Sequence, residues 1–506
     1  MDTHSNEPQE AARFDLTTAL FLRLLGLAFV FAFSSLWCQI PGLIGRDGIF
    51  PASVYLKTLS NYAGPAAYLS CPTLAWVNSS NLALESMAAT GTVLALLAVL
   101  GISSPALQAL LYLLYLSLVN VGRTFLQFQW DALLCEAGFL AIFIAGRQGK
   151  DKNKLLFAPN AIVIWMFRWL LFRVMFLSGA VKLLSGDGTY RNLTALTYHW
   201  YTQPLPTPVA WYLEQLPLLF QKFAEVSMFA AELLVPLLIF APGKFRRWGG
   251  VAIIIFQFMI AITGNYCFFN FLTMSMCVFL FDDSCFARLN CKPMRAILGL
   301  SSERKLGSAP APVIVYSTAA VLFCASFSTF SENFLGPEME PPLASALAAL
   351  LAPFSVTNGY GVFAVMTTKR HEIIVEGSRD GSRWLPYEFR YKPGDLKRAP
   401  PWVAPHQPRL DWQMWFAALG SIENNRWFGS FVYQLLKGSP AVLALLVRNP
   451  FADAPPKFIR ASLYDYHFTD WSERNTTGAW WRREYAGEYM PAVSLSDFEE
   501  PASSGP

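Results

Sequence analysis

The sequence predicts a polytopic α-helical membrane bundle of about nine spans, followed by a C-terminal β-rich lumenal domain. Three observations predict it. The 506 residues are 54% hydrophobic and only 15% charged, where ordinary soluble domains carry about 25% charge; mean hydropathy is +0.34. Before residue 331 the apolar residues fall in runs near the ~20 residues that a spanning helix needs. After residue 370 the texture changes to short alternating segments with turn signals and many Trp, Pro and Arg residues. The net charge of +4 is small and the basic residues sit in short loops. No basic face is available for nucleic acid.

Residues 1–16 are polar and form a cytoplasmic tail. The run 17–37 is long enough to span and lacks a small-residue cleavage site, so it reads as a signal anchor. Further runs follow at 83–100, 105–121, 127–146, 159–184, 218–241, 248–263, 266–281 and 312–330. Gly264-Asn265 breaks the pair 248–263 and 266–281.

The loops 147–158, 242–247 and 282–311 are rich in Lys and Arg, which marks short loops as cytoplasmic. With a cytoplasmic N-terminus and nine spans, 38–82, 185–217 and everything beyond 331 become lumenal. The three N-x-S/T sequons, Asn78, Asn192 and Asn475, all fall on those segments, as glycosylation requires. Within the connector 331–370, the Ala/Leu run 340–357 reads as an interfacial or re-entrant helix.

The domain 371–490 opens with the strand HEIIVEG, a turn at Asp380-Gly381 and a second strand in RWLPYEFRY. Lys392-Pro393-Gly394-Asp395 makes another turn. A Pro-punctuated arm, Lys397 to Leu410, leads to DWQMWFAAL, where Trp412, Trp415 and Phe416 share a helical face. The stretch 411–447 is helical, and KFIRASLYDYHF and AWWRREYAGEY are strand-like. Residues 491–506 read as a disordered tail.

Ionisable groups inside a bilayer are costly. Asp131 and Glu136 sit in the fourth span, Arg168, Arg173 and Lys182 in the fifth, and Glu225 and Glu232 on one face of the sixth. They read as a buried polar network fixing helix packing or, alternatively, as a proton- or substrate-handling site. Cys38 and Cys71 are the one cysteine pair on a single lumenal loop; they can bridge in an oxidising compartment or remain thiols. There is no G-x-S-x-G elbow, phosphate loop or zinc spacing, so no cofactor or metal is expected. The loop HWYTQPLPTPVAWY, 199–212, suits an interfacial aromatic belt or a surface for an apolar client.

The run EGSRDGSRWLPYEFRYKPGDL with PPWVAPHQPRLDWQMWFAAL resembles the C-terminal signature of the lipase maturation factors. FLQFQWDALLCEAGFL, HWYTQPLPTPVAWY, AELLVPLLIFAP, TGNYCFFNFLT and FIRASLYDYHFTDW fit the same family, and the likeness spans roughly residues 15–490. It implies a folding factor of the endoplasmic reticulum membrane, not an enzyme. Its clients would be secreted homodimeric lipases of the lipoprotein lipase kind, and other lumenal folding factors are further partners. Arg398, His406, Arg409, Asp411, Trp412 and Trp415 are then the candidate client-binding residues. Separately, FRVMFLSGAVKLLSGDGTY resembles the membrane core of vitamin-K-dependent carboxylase, which implies the alternative of a membrane-embedded enzyme with Lys182 as base.

Overall fold

A computed structural model describes residues 14–148, 155–156, 160–289, 312–335 and 341–499. Each apolar run is helical: α1 (Asp15–Trp37), α2 (Asn81–Val99), α3 (Pro105–Gly122), α4 (Gln129–Ile144), α5 (Ala161–Leu184), α6 (Leu218–Phe229), α7 (Gly243–Thr263), α8 (Phe269–Met276) and α9 (Pro312–Leu335). Among the described residues, seven helical segments are long and apolar enough to cross a membrane; α4 and α8 belong to shorter ones. The tail expected to be cytoplasmic, up to residue 13, and most of the basic residues of the loops 147–158 and 282–311 lie outside the described residues.

Two long-range contacts fix which ends of the bundle coincide. The first turn of α1 has no side-chain cap of its own. Instead the Asp283 carboxylate, beyond α8, accepts from the backbone N–H groups of Asp15 (3.0 Å), Leu16 (3.3 Å) and Thr17 (3.1 Å). Free N–H groups and the helix dipole both favour an anion there. At the second contact, aromatic rings of α5 and α9 form a ladder: Trp165–Phe323 at 5.5 Å, Phe172–Phe330 at 6.1 Å and Phe176–Phe334 at 6.2 Å. Both numbers rise together, so α5 and α9 run parallel and leave the bundle at one end.

The sixth segment is not regular. Beyond α6 it continues as a π turn, Ala230–Leu234, then a 3-10 stretch, Val235–Phe240. Pro236 has no N–H for the α-helical ladder, so the winding must change around it. This turn presses on α5 at Gly179, where a Cβ would lie 2.8 Å from the Glu232 Cβ. The small-residue patch before Lys182 is thus a close helix approach.

Past α9, α10 (Pro342–Leu351) folds back along it. Residues 353–361, within the stretch read as a connector, then enter the bundle. The Phe354 carbonyl accepts from Tyr112 Oη (2.6 Å), and Tyr360 is 3% exposed. Irregular backbone is tolerated at membrane depth only where protein surrounds it.

The C-terminal region contains β1 (Arg370–Ser378), β2 (Leu385–Pro386), β3 (Glu388–Phe389), α11 (Arg409–Ala418), α12 (Arg426–Leu436), β4 (Leu446–Arg448), β5 (Phe458–Phe468), α13 (Trp471–Thr477) and β6 (Trp481–Val493). The main sheet has the order β2-β1-β5-β6, all antiparallel, and β3 pairs with β4 apart from it. The hairpin expectation is corrected here. The Asp380 turn forms, with its carboxylate accepting from the N–H groups of Ser382 and Arg383 at 2.9 Å each. However, RWLPYEFRY stays beside β1 only from Leu385 to Tyr387, whose N–H donates to the Val375 carbonyl (2.9 Å); from Glu388 the chain leaves to pair with β4. The long partner of β1 is β5, from Arg370↔Tyr466 to Ser378↔Phe458.

The tail is also corrected in part: β6 runs to Val493 and a helical turn covers Ser496–Glu499. Residues 500–506 lie outside the described residues.

One hydrophobic core runs without interruption from Phe21 and Phe29 in the bundle to Trp427, Ile459 and Met490 in the C-terminal region. Gly42 marks the closest approach, since a Cβ there would sit 2.4 Å from the Ala441 carbonyl. Removing residues 371–490 therefore uncovers the bundle. Differential scanning fluorimetry in detergent should show no cooperative transition for that truncated chain where the full chain has one.

Candidate functional site

The junction between bundle and C-terminal region is built on Asp131 and Arg409. Asp131 lies in the first turn of α4 and Arg409 opens α11. The guanidinium forks onto the carboxylate, with Nη1–Oδ2 at 2.9 Å and Nη2–Oδ1 at 2.8 Å. Both residues are 0% exposed. Tyr115 Oη donates to the same carboxylate, and Arg409 Nη1 also donates to the Phe125 carbonyl (2.7 Å). Buried charges persist only with this kind of bidentate, hydrogen-bonded pairing.

Around this pair the α1 end grips the arm before α11. Gln39 Oε1 accepts from Arg409 N–H (2.9 Å), and Ser35 Oγ accepts from Gln407 N–H (2.8 Å) and meets His406 Nδ1 at 3.0 Å. Asn265, in the break between α7 and α8, accepts from Val403 N–H (2.7 Å) and Ala404 N–H (3.0 Å) and donates to the Pro401 carbonyl (2.9 Å).

A second clamp centres on Arg370 at the start of β1. Its guanidinium donates to the carbonyls of Tyr201 (2.8 Å), Gln203 and Pro204 (2.8 Å), and pairs with Glu372. The other Glu372 oxygen holds Lys392 Nζ at 2.8 Å. Trp415 Nε1 donates to the Thr202 carbonyl (2.8 Å). The 199–212 loop is thus the floor of the C-terminal region. At its far end Arg474 lies over Trp480 (3.6 Å) and Trp211 (4.5 Å), with Trp471 against Trp211 at 4.7 Å.

These contacts correct the expected client surface. Arg409, Asp411, Trp412 and Trp415 are buried. Asp411 accepts from the N–H groups of Tyr391 and Lys392, each at 2.8 Å. Burial pushes its carboxyl above the usual range, against those two hydrogen bonds. Arg398 is partly buried and donates to the carbonyls of Phe389 and Lys392. Burial, then Arg409 and Arg390, lowers the His406 imidazole. Arg409, His406, Trp412 and Trp415 hold the arm and α11 to the bundle and its 199–212 loop, through Asp131, Ser35, the Trp130 ring and the Thr202 carbonyl, while Arg398 and Asp411 fix the arm within the C-terminal region.

Within the bundle the charges pair unevenly. Glu136 on α4 meets Arg173 on α5, and accepts from Tyr360 Oη (2.8 Å) and Asn358 Nδ2 (3.2 Å). Arg173 Nη1 donates to the Asn358 carbonyl (3.0 Å), so the inserted segment 353–361 completes this group. Arg168 donates to the Phe279 carbonyl (2.9 and 3.0 Å). Glu225 accepts from the Leu196 N–H (3.5 Å) at the start of the helix Ala195–Thr202.

Lys182 Nζ donates to Glu232 Oε1 (2.9 Å), Glu232 Oε2 (2.8 Å) and the Ser178 carbonyl (2.8 Å). These three contacts use all three N–H directions of the lysine head group. Beside it, burial and then the Lys182 charge push the His199 imidazole down to about 4.

Of the two states left open for the cysteine pair, the structure has the unbridged one. Cys38 and Cys71 are free thiols. Cys38 Sγ turns back to the Ser35 carbonyl at 3.2 Å at the end of α1, while Cys71 is buried and its carbonyl accepts from Trp76 Nε1 (2.8 Å). The sequon residues Asn78, Asn192 and Asn475 are all exposed. Among the described residues no group of His, Cys, Asp and Glu could hold a metal ion.

The sequence reading missed Arg370, Glu372, Asn265 and Tyr115. Arg370 and Glu372 alternate on one strand face, the one local signal available. Nothing local to Asn265 announces its partners more than a hundred residues away, and nothing local to Tyr115 announces that it donates to the Asp131 carboxylate.

The geometry defines a class: a polytopic membrane protein whose mixed α/β region is clamped to one end of its bundle by a buried ion pair and a buried arginine on backbone carbonyls. Residues 16–288 match the lipase maturation factor transmembrane domain, and residues 356–491 match the lipase maturation factor C-terminal domain. The chain is 36% identical to lipase maturation factor 2 of Gallus gallus over 94% of this chain and 81% of that protein. It is 34% identical to lipase maturation factor 2 of Homo sapiens (95% and 83%) and 34% identical to lipase maturation factor 1 of Mus musculus (96% and 88%). The chain belongs to the lipase maturation factor family. No solved structure matches it.

Two expected outcomes follow from the clamps. Asp131→Ala or Arg409→Ala strands a buried charge and should cost about 3–5 kcal/mol. The double variant Asp131→Leu/Arg409→Met should cost less than the sum of the two, as a double-mutant cycle on thermal unfolding will show. For His199, the folded value lies below the unfolded one, so the unfolded chain binds the proton first. Its contribution is whole above pH ~6.5, the unperturbed histidine value, and falls as pH drops towards 4. His199→Asn should flatten that part of the stability profile measured by denaturant titration.

Proposed function

We propose that this protein is a folding factor of the endoplasmic reticulum membrane that helps lipases mature to active, secreted and homodimeric enzymes. The observation that carries the reading is the match of both halves, bundle and C-terminal region, to proteins named lipase maturation factors. The N-terminus lies in the cytoplasm and the C-terminal region in the lumen, where a client would meet it. Supporting this orientation, Asn475 is exposed on α13 and the basic residues Arg246 and Arg247 begin α7 at the opposite end. An activity as an enzyme is not part of the proposal, since Lys182 is held by three acceptors.

With four of the six expected contact residues buried and Arg398 and His406 half-buried, client contact passes to side chains that the C-terminal region exposes: Tyr485 on β6 (65%), Trp402 (59%) and Trp471 (50%). These aromatic side chains suit transient apolar contact with a folding intermediate.

The test is lipase activity secreted from cells lacking this protein. Full-length chain should restore it. Trp402→Ser/Trp471→Ser/Tyr485→Ser should restore it several-fold less at equal protein level, with lipase retained in the cell. No restoration by the full-length chain, when it is present in the endoplasmic reticulum membrane, sinks the proposal.

A further inference from the structure

The loop between α1 and α2 carries a surface that neither the clamps nor the proposed client contact uses. It contains the helix Ala52–Ala63, a helical turn Ala67–Ser70 and a 3-10 turn Leu74–Trp76. No charged residue occurs between Lys57 and Glu85. Over this stretch Val77 is 89% exposed, Leu82 77%, Leu69 72% and Tyr68 56%. A surface that apolar, in a folded chain, has an apolar neighbour.

Its depth is fixed by hydrogen bonds to α3. Thr73 Oγ1 donates to the Ser117 carbonyl (2.9 Å), and Ser117 Oγ accepts from the Leu74 N–H (3.1 Å). Asn120 Nδ2 donates to the Pro72 carbonyl (2.9 Å) and to the Pro353 carbonyl (3.2 Å) of the segment that re-enters the bundle. At 1.5 Å rise per residue, Ser117 lies about 8 Å inside the Gly122 end of α3. The 3-10 turn therefore lies beside the spanning helix rather than above it. One and two turns deeper, Leu113 and Leu110 of α3 are exposed on the bundle's outer face, and the Leu113 carbonyl is the acceptor of the Ser117 hydroxyl. Leu74, whose N–H is bonded to Ser117 on that helix, and Val77 lead along the chain to Leu82 in the first turn of α2, and all three are exposed.

We propose that residues Tyr68–Leu82 form a wedge inserted into the outer part of the bilayer leaflet on the side of the C-terminal region, with lipid acyl chains as its partner. The backbone there is satisfied by α3, by Thr73 capping Ala75 (3.1 Å) and by Trp76 Nε1 on the Cys71 carbonyl. That satisfaction is what irregular backbone needs at such depth. Tyr68 and Trp76, whose rings are 4.8 Å apart, form the amphipathic pair that sits at a headgroup boundary. The wedge also brings Asn78 to that boundary, three residues before α2, where its sequon stays unmodified although Asn475 on the same side is accessible.

The test uses the full chain in lipid nanodiscs containing a phosphatidylcholine with a photoactivatable diazirine near the end of one acyl chain. Adducts are mapped by mass spectrometry. The peptide spanning Leu74–Leu82 should label within about twofold of the exposed α7 residues Ile255, Phe258 and Met259, and at least fivefold above α13. Labelling of that peptide no higher than α13 overturns the wedge and makes the surface a water-facing or protein-docking one. In microsomes, Asn78→Gln should leave the glycosidase-sensitive mobility of the protein unchanged; a lost glycan overturns the proposal independently.

Discussion

The buried fork between Asp131 and Arg409 is the contact on which the rest of this structure depends. It joins the first turn of α4 to the first turn of α11 across 278 positions of sequence. Each charge alone would be expensive in a dry interior, and each is tolerable because the other is there. Tyr115, Gln39 and the Phe125 carbonyl add the remaining hydrogen bonds. The pair thus fixes the register of the C-terminal region on the bundle, with less slack than apolar contact alone would leave.

Arg370 repeats the principle in another form. Its guanidinium collects three carbonyls from the loop after α5, together with Glu372. The sheet therefore rests on ordered backbone. Between the two clamps, α11 and β1 lie against the membrane helices' ends, and the hydrophobic core passes through without a break. A surface displayed by β6 and α13 keeps a set height and angle relative to the bilayer, which a tethered domain would not.

The spans and the strands β1, β5 and β6 were legible in the sequence, because their signals are local: unbroken apolar runs, alternation, and the turn at Asp380; the turn expected at Lys392-Pro393-Gly394-Asp395 falls three residues later, where Arg398 N–H donates to the Asp395 carbonyl (3.2 Å). The charged positions in the bundle were legible as a set but not as pairs. Glu136 and Arg173 do join neighbouring helices, yet Asp131 takes its partner from beyond residue 400 and Arg168 takes a carbonyl. The candidate contact residues were misread for a related reason. Trp412, Trp415, Asp411 and Arg409 carry the marks of a recognition surface, and the same chemistry serves a buried joint. Only the position of α1 and the 199–212 loop beneath them tells the two apart.

The cap that Asp283 places on α1 has a bearing on biogenesis. The helix made first is completed by a carboxylate made some 270 residues later, and Asp131 waits still longer for Arg409. During synthesis the growing chain thus carries an open helix start and an unneutralised acid in its bundle. A ribosome that stops early, at any codon before Arg409, releases a polypeptide with that acid still single. Surveillance in the membrane would have a simple chemical mark by which to tell the unfinished product from the finished one.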